Sequence, residues 1–217
     1  MKLYLPAHES IRVELFKANA DLIPEHKALI HYSPYNIKSN QKSTPFMTFT
    51  FKNLDTDFIV PKSRIIVQEK GLPLMFNSTS GSNLQKQFKT DSIYDSNLKI
   101  NDRVGKVITK NTEEKALGTS LIERSWTEEI TRIITITNDT GRIVENLLIE
   151  INDDPASQIN FQESDPKADE TSLPVYKWKF RLQIGEEKKI VLKLHHFKKE
   201  QIKIVSKDNE LQKLNNK

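Results

Sequence analysis

Strict alternation of apolar and polar residues in the last third of the sequence is the feature that most constrains the fold. The apolar members of this pattern are Trp178, Phe180, Leu182, Ile184, Ile190, Leu192 and Leu194. A turn of sequence Gly185-Glu186-Glu187 separates the two runs. Because successive side chains of a strand point to opposite faces, the pattern predicts two strands, each with one apolar and one charged face. We expect these strands to form a hairpin.

Similar patterns predict strands along most of the chain. The segment 121–138 predicts one long strand or two joined by a bend, with Ile130, Ile134 and Ile136 in phase and Arg132 among them. The sequence Asn138-Asp139-Thr140-Gly141 predicts a turn, because Asx residues and glycine tolerate positive φ. Further strands are expected at residues 11–15, 27–32, 47–51, 72–76, 104–109, 143–151 and 201–205. Residues 58–68 are a candidate pair of strands, with Pro61 at the edge or in a short break.

Polar segments predict two long loops, at residues 33–45 and 152–174, the second of which is acidic and contains Ile159 and Phe161 as a possible short strand. No segment shows a sustained 3.6-residue period. We therefore expect an all-β chain of antiparallel sheets with little helix, built as two immunoglobulin-like β-sandwich domains. The expected N-terminal domain covers residues 1–115, the C-terminal domain covers residues 116–206, with the break near 111–120, and a polar flexible tail covers 207–217.

Composition excludes several classes of site. The 217-residue sequence has no cysteine, which excludes disulfides, thiol catalysis and cysteine-ligated metal centres. Its 33 basic and 29 acidic residues give a formal net charge of +4, which is typical of a solvated surface rather than a nucleic-acid footprint. Pro6, His8 and Glu9 interrupt the start, and no apolar run approaches the ~20 residues that span a bilayer. We expect a soluble chain without signal peptide or membrane span, in a compartment that the sequence does not assign.

Candidate metal ligands are few. His195 and His196 are adjacent in a predicted strand and should face apart, so a shared ion would need partners such as His8, His26 or His31. The acidic segment 152–170 offers carboxylates to calcium, but its spacing matches no recognised calcium loop. We expect ordinary histidines, a solvated loop, no metal and no cofactor.

Two other groups of residues have both a functional and a structural interpretation. A basic patch near the C-terminus is formed by Lys198, Lys199, Lys203 and Lys207 with Phe197. It would suit nucleic acid if aromatics lay beside the lysines, but a charged edge strand that resists aggregation is the simpler reading. Trp126 and Trp178 could form an aromatic platform for sugar, although the phase of Trp178 predicts a core position.

Catalytic patterns are missing from the sequence. It contains no Gly-x-Ser-x-Gly elbow, no phosphate-cradling Gly-x-x-x-x-Gly-Lys-Ser/Thr loop and no Gly-x-Gly-x-x-Gly. Glu128 and Glu129 are neighbours in a predicted strand and should face apart, which is unfavourable for paired-carboxylate catalysis. We therefore assign no catalytic residue and expect no enzyme, although residues far apart in sequence could still assemble a site.

The order of several elements carries a family resemblance. These elements are Leu22-Ile23-Pro24-Glu25, Phe49-Thr50-Phe51-Lys52-Asn53, Phe58-Ile59-Val60-Pro61, the segment 64–68 with Gly71, Arg132 to Asn138, Trp178 to Leu182, and Ile184-Gly185-Glu186. Over roughly residues 10–205 this order resembles the β-rich C-terminal domain of the mucoidy-inhibitor-A-like proteins, a conserved domain of unknown function. Ile184 replaces the proline that usually precedes the late glycine. The resemblance implies a fold and no catalytic residues.

Two functions from different classes fit these observations. The first is a non-enzymatic structural or protein-interaction module that uses a sheet edge or the loops at 33–45 and 152–174, with a protein partner or self-association. The alternative is a carbohydrate- or surface-binding accessory domain. An open sheet edge or a flat apolar patch would favour the first function, and exposed coplanar Trp and Tyr side chains would favour the alternative.

Overall fold

The computed structural model describes residues 19–55, 60–69, 72–81, 87–118 and 120–203. Its strands are β1 (Asp21–His31), β2 (Gln41–Ser43), β3 (Phe46–Lys52), β4 (Ser63–Glu69), β5 (Leu72–Thr79), β6 (Phe88–Lys89), β7 (Ile93–Tyr94), β8 (Leu98–Ala116), β9 (Leu121–Asn138), β10 (Val144–Asn152), β11 (Ile159–Asp165), β12 (Glu170–Ser172), β13 (Val175–Leu182) and β14 (Glu187–Lys203). One 3-10 turn, Pro155–Ser157, precedes β11. These residues contain no α-helix, which confirms the all-β prediction, and none of their segments forms a helix that could cross a membrane.

The chain divides into two compact units. The smaller unit comprises Met1–Pro24 and Thr48–Ser92, and the larger comprises Glu25–Met47 and Ile93–Lys217. Strands β1 and β3 therefore each contribute residues to both units. This division differs from the predicted domain ranges of 1–115 and 116–206, because β8 and β9 pair as neighbours within the larger unit. The predicted break near 111–120 covers the end of β8 and its connection to β9.

The larger unit contains two sheets. One sheet has the order β12-β13-β10-β1-β3, with β7 also paired to β3. The other has the order β11-β14-β9-β8-β2. Most strand pairs are antiparallel, as predicted, whereas β1 and β10 run parallel, with His26 opposite Leu147 and His31 opposite Asn152. For brevity we call these the β10 sheet and the β9 sheet.

The core of the larger unit is built from the inward faces of both sheets. The β10 sheet contributes Ala28, Ile30, Leu147, Ile149, Ile151 and Trp178, and the β9 sheet contributes Leu98, Ile100, Ile130, Ile134, Ile136, Ile190, Leu192 and Leu194. Trp178 is fully buried, as its phase predicted, and its indole nitrogen donates to the carbonyl of Pro166 at 3.0 Å. Complete burial of each isoleucine or leucine side chain of this core stabilises the fold by about 1.5–3 kcal/mol.

The hairpin predicted for residues 177–194 is wrong. The alternation correctly located the strands, but β13 pairs with β10 and β12 in one sheet, whereas β14 pairs with β9 and β11 in the other. The Gly185 turn, where φ is +72°, therefore joins strands of opposite sheets. The strand predicted at 201–205 is the continuation of β14 as far as Lys203.

The smaller unit contains the antiparallel pair β4 and β5 and the pairing of β6 with β3. The rings of Phe51 and Phe88 stack at 4.4 Å on neighbouring strands. A bridge between Thr79 and Thr90 joins the end of β5 to the residue that follows β6. The predicted strand at 11–15 and the predicted tail at 207–217 lie outside the described residues.

Candidate functional site

The first of the two predicted loops, residues 33–45, is held against the β9 sheet by Arg132. This arginine is fully buried on β9, and its Nη1 and Nη2 atoms donate to the carbonyls of Ile37 and Ser39, each at 2.8 Å. Ile37 is itself buried in the core. Residues 41–43 of the loop form β2. This segment is therefore a part of the packed fold rather than a free binding loop.

A second polar cluster, centred on the buried Glu128, holds the same loop through the partly exposed Lys38. The Nζ atom of Lys38 lies 2.5 Å from Oε1 of Glu128, and Lys198 lies 3.5 Å from its Oε2. His196 approaches the same Oε2 with its Nδ1 at 3.8 Å. Burial alone would raise the pKa of Glu128, but Lys38 and Lys198 hold that pKa below its usual value. Glu128 is thus an anionic anchor for the loop.

The second predicted loop, residues 152–174, is also tied down. It contains the 3-10 turn, β11 and β12, which confirms the short strand predicted around Ile159 and Phe161. Asp153 accepts from the backbone N–H of Phe161 at 2.8 Å, and Asp169 accepts from that of Lys179 at 2.6 Å. Glu163 pairs with Lys193. Because each of these carboxylates has its own protein partner, they do not converge on a common point.

The predicted metal ligands are dispersed. His196 points into the protein and His195 lies on the opposite face, as their alternation predicted. His26 pairs with Asp95 at 3.1 Å, and His8 lies outside the described residues. In the part of the chain that the structure describes, no three His, Cys, Asp or Glu side chains come together in an arrangement suited to a metal ion.

The basic patch is divided between two faces of β14. Lys198 lies near Glu128, whereas Lys199 pairs with Glu123 at 2.8 Å. Phe197 is partly exposed, and Lys207 lies outside the described residues. Glu128 and Glu129 also face apart, since Glu129 pairs with Lys110 at 2.6 Å.

An open strand edge is the feature of the larger unit best suited to binding. β8 is 19 residues long and pairs with β9 from Leu98 to Ala116. On its other side, Gln41–Ser43 of β2 is the only described segment that pairs with it, opposite Ile100 to Asp102. The N–H of Val104 donates to the side chain of Asn40 at 3.0 Å. Beyond this point, up to Ala116, no strand of the described chain occupies that side of β8.

One stretch of the open edge has regular geometry. The register of β8 against β9 shifts between Val104 and Lys106 and again between Lys110 and Glu113, and it is continuous from Lys106 to Lys110. The intervening residues Val107, Ile108 and Thr109 are β-branched and favour strands. We call residues 106–110 of β8 the docking stretch. Alternate N–H and C=O groups of such an edge point away from the neighbouring strand.

Comparison with protein-family models, with curated proteins and with solved structures found no match in any of the three. The function proposed below is therefore based on the geometry of this chain.

Sequence reasoning located part of β8 but missed its significance. The segment 104–109 predicts a strand, whereas the observed strand continues to Ala116 with exposed side chains from residue 109 onward. Exposure on both faces removes the apolar alternation on which a strand prediction depends. The edge could be recognised only from the position of β2, which pairs with β8 across a long sequence separation.

Proposed function

We propose that this chain is a non-enzymatic protein-interaction module that receives an extended segment of a partner protein along the docking stretch of β8. The observation that carries the proposal is the pairing of β8 with a long strand on one side and with the three-residue β2 on the other. An added strand would satisfy the outward backbone groups of residues 106–110 by main-chain hydrogen bonds. The loops at 33–45 and 152–174 are packed into the fold, which favours the sheet edge over these loops as the binding surface.

Charge favours a foreign partner over a second copy of the chain. Consider two copies paired antiparallel with Ile108 at the two-fold axis. This arrangement would place Lys106 of each copy opposite Lys110 of the other. Like charges directly opposite each other destabilise a strand pair, and lysines on an edge are a common protection against self-pairing. A partner segment with acidic residues at those two positions would instead be attracted, most strongly at Lys106, because Lys110 already pairs with Glu129.

The alternative function, a carbohydrate- or surface-binding accessory domain based on stacked aromatics, has less support. Trp178 is in the core, and the exposed Tyr94 lies against Phe46, with ring centres 4.5 Å apart and planes tilted by 32°. We also propose that the sandwich is immunoglobulin-like and that the chain is related to the mucoidy-inhibitor-A-like proteins. The core between two sheets supports the first of these predictions, and the order of the sequence elements from Leu22 to Glu186 supports the second.

The proposal is tested with synthetic peptides. The probe is an extended peptide of sequence Thr-Glu-Val-Thr-Val-Glu-Thr, whose glutamates match the spacing of Lys106 and Lys110, and the comparison peptide has lysine in place of both glutamates. At low salt we expect the acidic peptide to bind at least about tenfold more tightly than the lysine peptide, as measured by calorimetry. The reason is that its glutamates are attracted to the lysines of the docking stretch, and low salt screens this attraction little. Amide hydrogen exchange should slow in the docking stretch when the acidic peptide is bound.

Matched variants locate the site. Lys106→Glu should weaken binding of the acidic peptide by about tenfold or more. Lys193→Glu, an exposed lysine of β14 that pairs with Glu163, should leave binding unchanged. Equal binding of both peptides, or protection at residues other than 106–110, would contradict the proposal.

A further inference from the structure

A polar furrow crosses the outer face of the β9 sheet, away from the core. Its volume is about 440 Å³, and its lining includes Lys42, Asn101, Arg103, Thr135, Thr137 and Glu187. Strand register explains its form, because Lys42 lies opposite Asn101, Asn101 lies opposite Thr135, and Thr137 lies opposite Glu187. The short threonines of β9 form the floor, and the longer side chains of β2, β8 and β14 form the walls.

The furrow has an excess of positive charge. Among the described residues, neither Lys42 nor Arg103 has a carboxylate within ion-pair distance, and Glu187 is the one acidic residue of the lining. Lys189 lies opposite Thr135 in the register, is exposed, and has no ion pair within the same part of the chain. Neighbouring lysines of this face differ, since Lys99 pairs with Asp139 at 2.6 Å and Lys193 pairs with Glu163. Cations without partners therefore gather around the furrow.

The hydrogen-bonding groups of the lining indicate the rest of the ligand. Asn101 offers both donors and acceptors, and the hydroxyls of Thr135 and Thr137 can do either. The carboxylate of Glu187 accepts hydrogen bonds from ligand hydroxyls. The lining contains no aromatic residue, so a ligand would be recognised by its polar groups rather than by stacking. The strand β9, which forms the floor, is paired on both sides, so its backbone is engaged in the sheet, which disfavours recognition of a peptide main chain there.

We propose that this furrow binds a sugar that carries a phosphate or sulfate ester. Lys42 and Arg103 would hold the ester oxyanion, because guanidinium and ammonium groups form strong charge-assisted hydrogen bonds with such groups. Asn101, Thr135, Thr137 and Glu187 would bind the hydroxyls. A cavity of this volume falls in the range of small-molecule sites. The inference goes beyond the proposed function, because the furrow lies on the face of the sheet and not on the edge of β8.

Calorimetry and NMR titration of the full chain test the inference with four probes: glucose 6-phosphate, glucose 6-sulfate, glucose and inorganic phosphate. We expect one or both of the esters to bind, with shifted amide signals at residues 101–103 and 135–137, and to bind at least about tenfold more tightly than glucose or inorganic phosphate. The stronger of the two ester signals identifies the group. Equal affinity for inorganic phosphate would overturn the role of the hydroxyl-binding residues, and equal affinity for glucose would overturn the role of the cations.

Neutral variants separate the furrow from general surface charge. Arg103→Gln should weaken binding of the preferred ester by about tenfold or more, whereas Lys193→Gln on the same face should not change it. Both side chains are exposed, so both variants should keep the thermal stability of the parent chain. Absence of ester binding by the parent chain, or an equal loss in both variants, would overturn the inference.

Discussion

Arg132 and Asp102 form an ion pair in the interior of the larger unit, with Nη2 2.9 Å from Oδ2. Tyr32 donates its hydroxyl to the same carboxylate at 2.9 Å, and its ring lies beneath the guanidinium at 5.3 Å. Burial raises the pKa of Asp102, while Arg132 acts in the opposite direction. The pair joins β8 to β9, and through the carbonyls of Ile37 and Ser39 it also fixes the segment that leads to β2.

Replacing this arginine should strongly destabilise the larger unit. Arg132→Met leaves Asp102 buried without its cation and two carbonyls without a donor, so we expect the free energy of unfolding to fall by about 3–5 kcal/mol. Urea denaturation measures the loss. The matched control is Arg124→Met, which removes an exposed pair with Glu114 and should cost less than about 1 kcal/mol. Similar losses in the two variants would contradict the assigned role of Arg132.

Asn138 links the turn between β9 and β10 to the turn between β13 and β14. Its buried Nδ2 group donates to the carbonyls of Arg142, Leu182 and Gln183 at 2.8, 3.2 and 2.9 Å. Asn138→Ala should therefore lower the free energy of unfolding by about 1–3 kcal/mol, because the buried carbonyl of Leu182 and two partly buried carbonyls lose their donor. Asn146→Ala, at an exposed position of β10, is the control and should change it by less than about 0.5 kcal/mol. If Asn138→Ala also lowers the free energy of unfolding by less than about 0.5 kcal/mol, the prediction is wrong.

His196 should make stability depend on pH. Burial, followed by the charge of Lys198, lowers the pKa of His196, although Glu128 opposes this. The unfolded chain then takes up a proton at a higher pH than the folded protein does. The free energy of unfolding should therefore decrease as pH falls through about 6.5 toward the lower pKa of the folded state.

The substitution His196→Gln removes this titration. Between pH 7.5 and 5.5 the variant should lose less stability than the parent chain, as measured by urea denaturation at several pH values. Identical profiles for the parent and His196→Gln would rule out the assigned coupling.

Gly81 should resist substitution in the smaller unit. Its φ is +100°, and an added Cβ would lie 2.6 Å from the carbonyl oxygen of Val60. Gly81→Ala should cost about 2 kcal/mol or more, detected as faster hydrogen exchange in residues 76–79. Gly141 has a φ of +73° with open space around it, so Gly141→Ala should cost only about 1 kcal/mol. Unchanged exchange in Gly81→Ala would disprove the steric argument.

The open edge of β8 should be visible in the free protein. Every second amide from Lys106 to Lys110 should exchange rapidly, because those N–H groups face water. The opposing residues of β9, from Thr127 to Thr131, lie between β8 and β14 and should all be protected. NMR-detected hydrogen exchange distinguishes the two strands. Slow exchange throughout the docking stretch would mean that another strand already covers it.

Local sequence patterns predicted strands much better than they predicted which strands pair. The alternation of Ile130, Ile134 and Ile136, closed by the turn at Asn138, located β9 with its observed limits. The same kind of alternation placed Trp178 in the core. It reports only which face of a strand is apolar, however, so it could not tell that β13 and β14 belong to opposite sheets.

Candidate sites were harder to predict because they depend on long-range pairing. The sequence shows Arg132 among isoleucines of a predicted strand. Its partners Asp102 and Tyr32 are distant in sequence, so no local pattern indicates them. The furrow requires the register of β2, β8, β9 and β14 together, and its residues are ordinary polar side chains when read one at a time. Neither its shape nor the open edge is encoded in a local motif.

The parallel pairing of β1 with β10 has a consequence for synthesis on the ribosome. His26 of β1 finds its neighbour Leu147 only after β2 through β9 have been translated. At the usual elongation rates of about 5–20 residues per second, this delay is on the order of ten seconds. Throughout that interval β1, with its apolar Ala28 and Ile30, has β3 available as a neighbour but lacks β10 on its other side. We therefore expect the need for chaperones to depend on the time between translation of β1 and translation of β10. A circular permutant in which these two strands are closer in sequence should give a higher yield of folded protein.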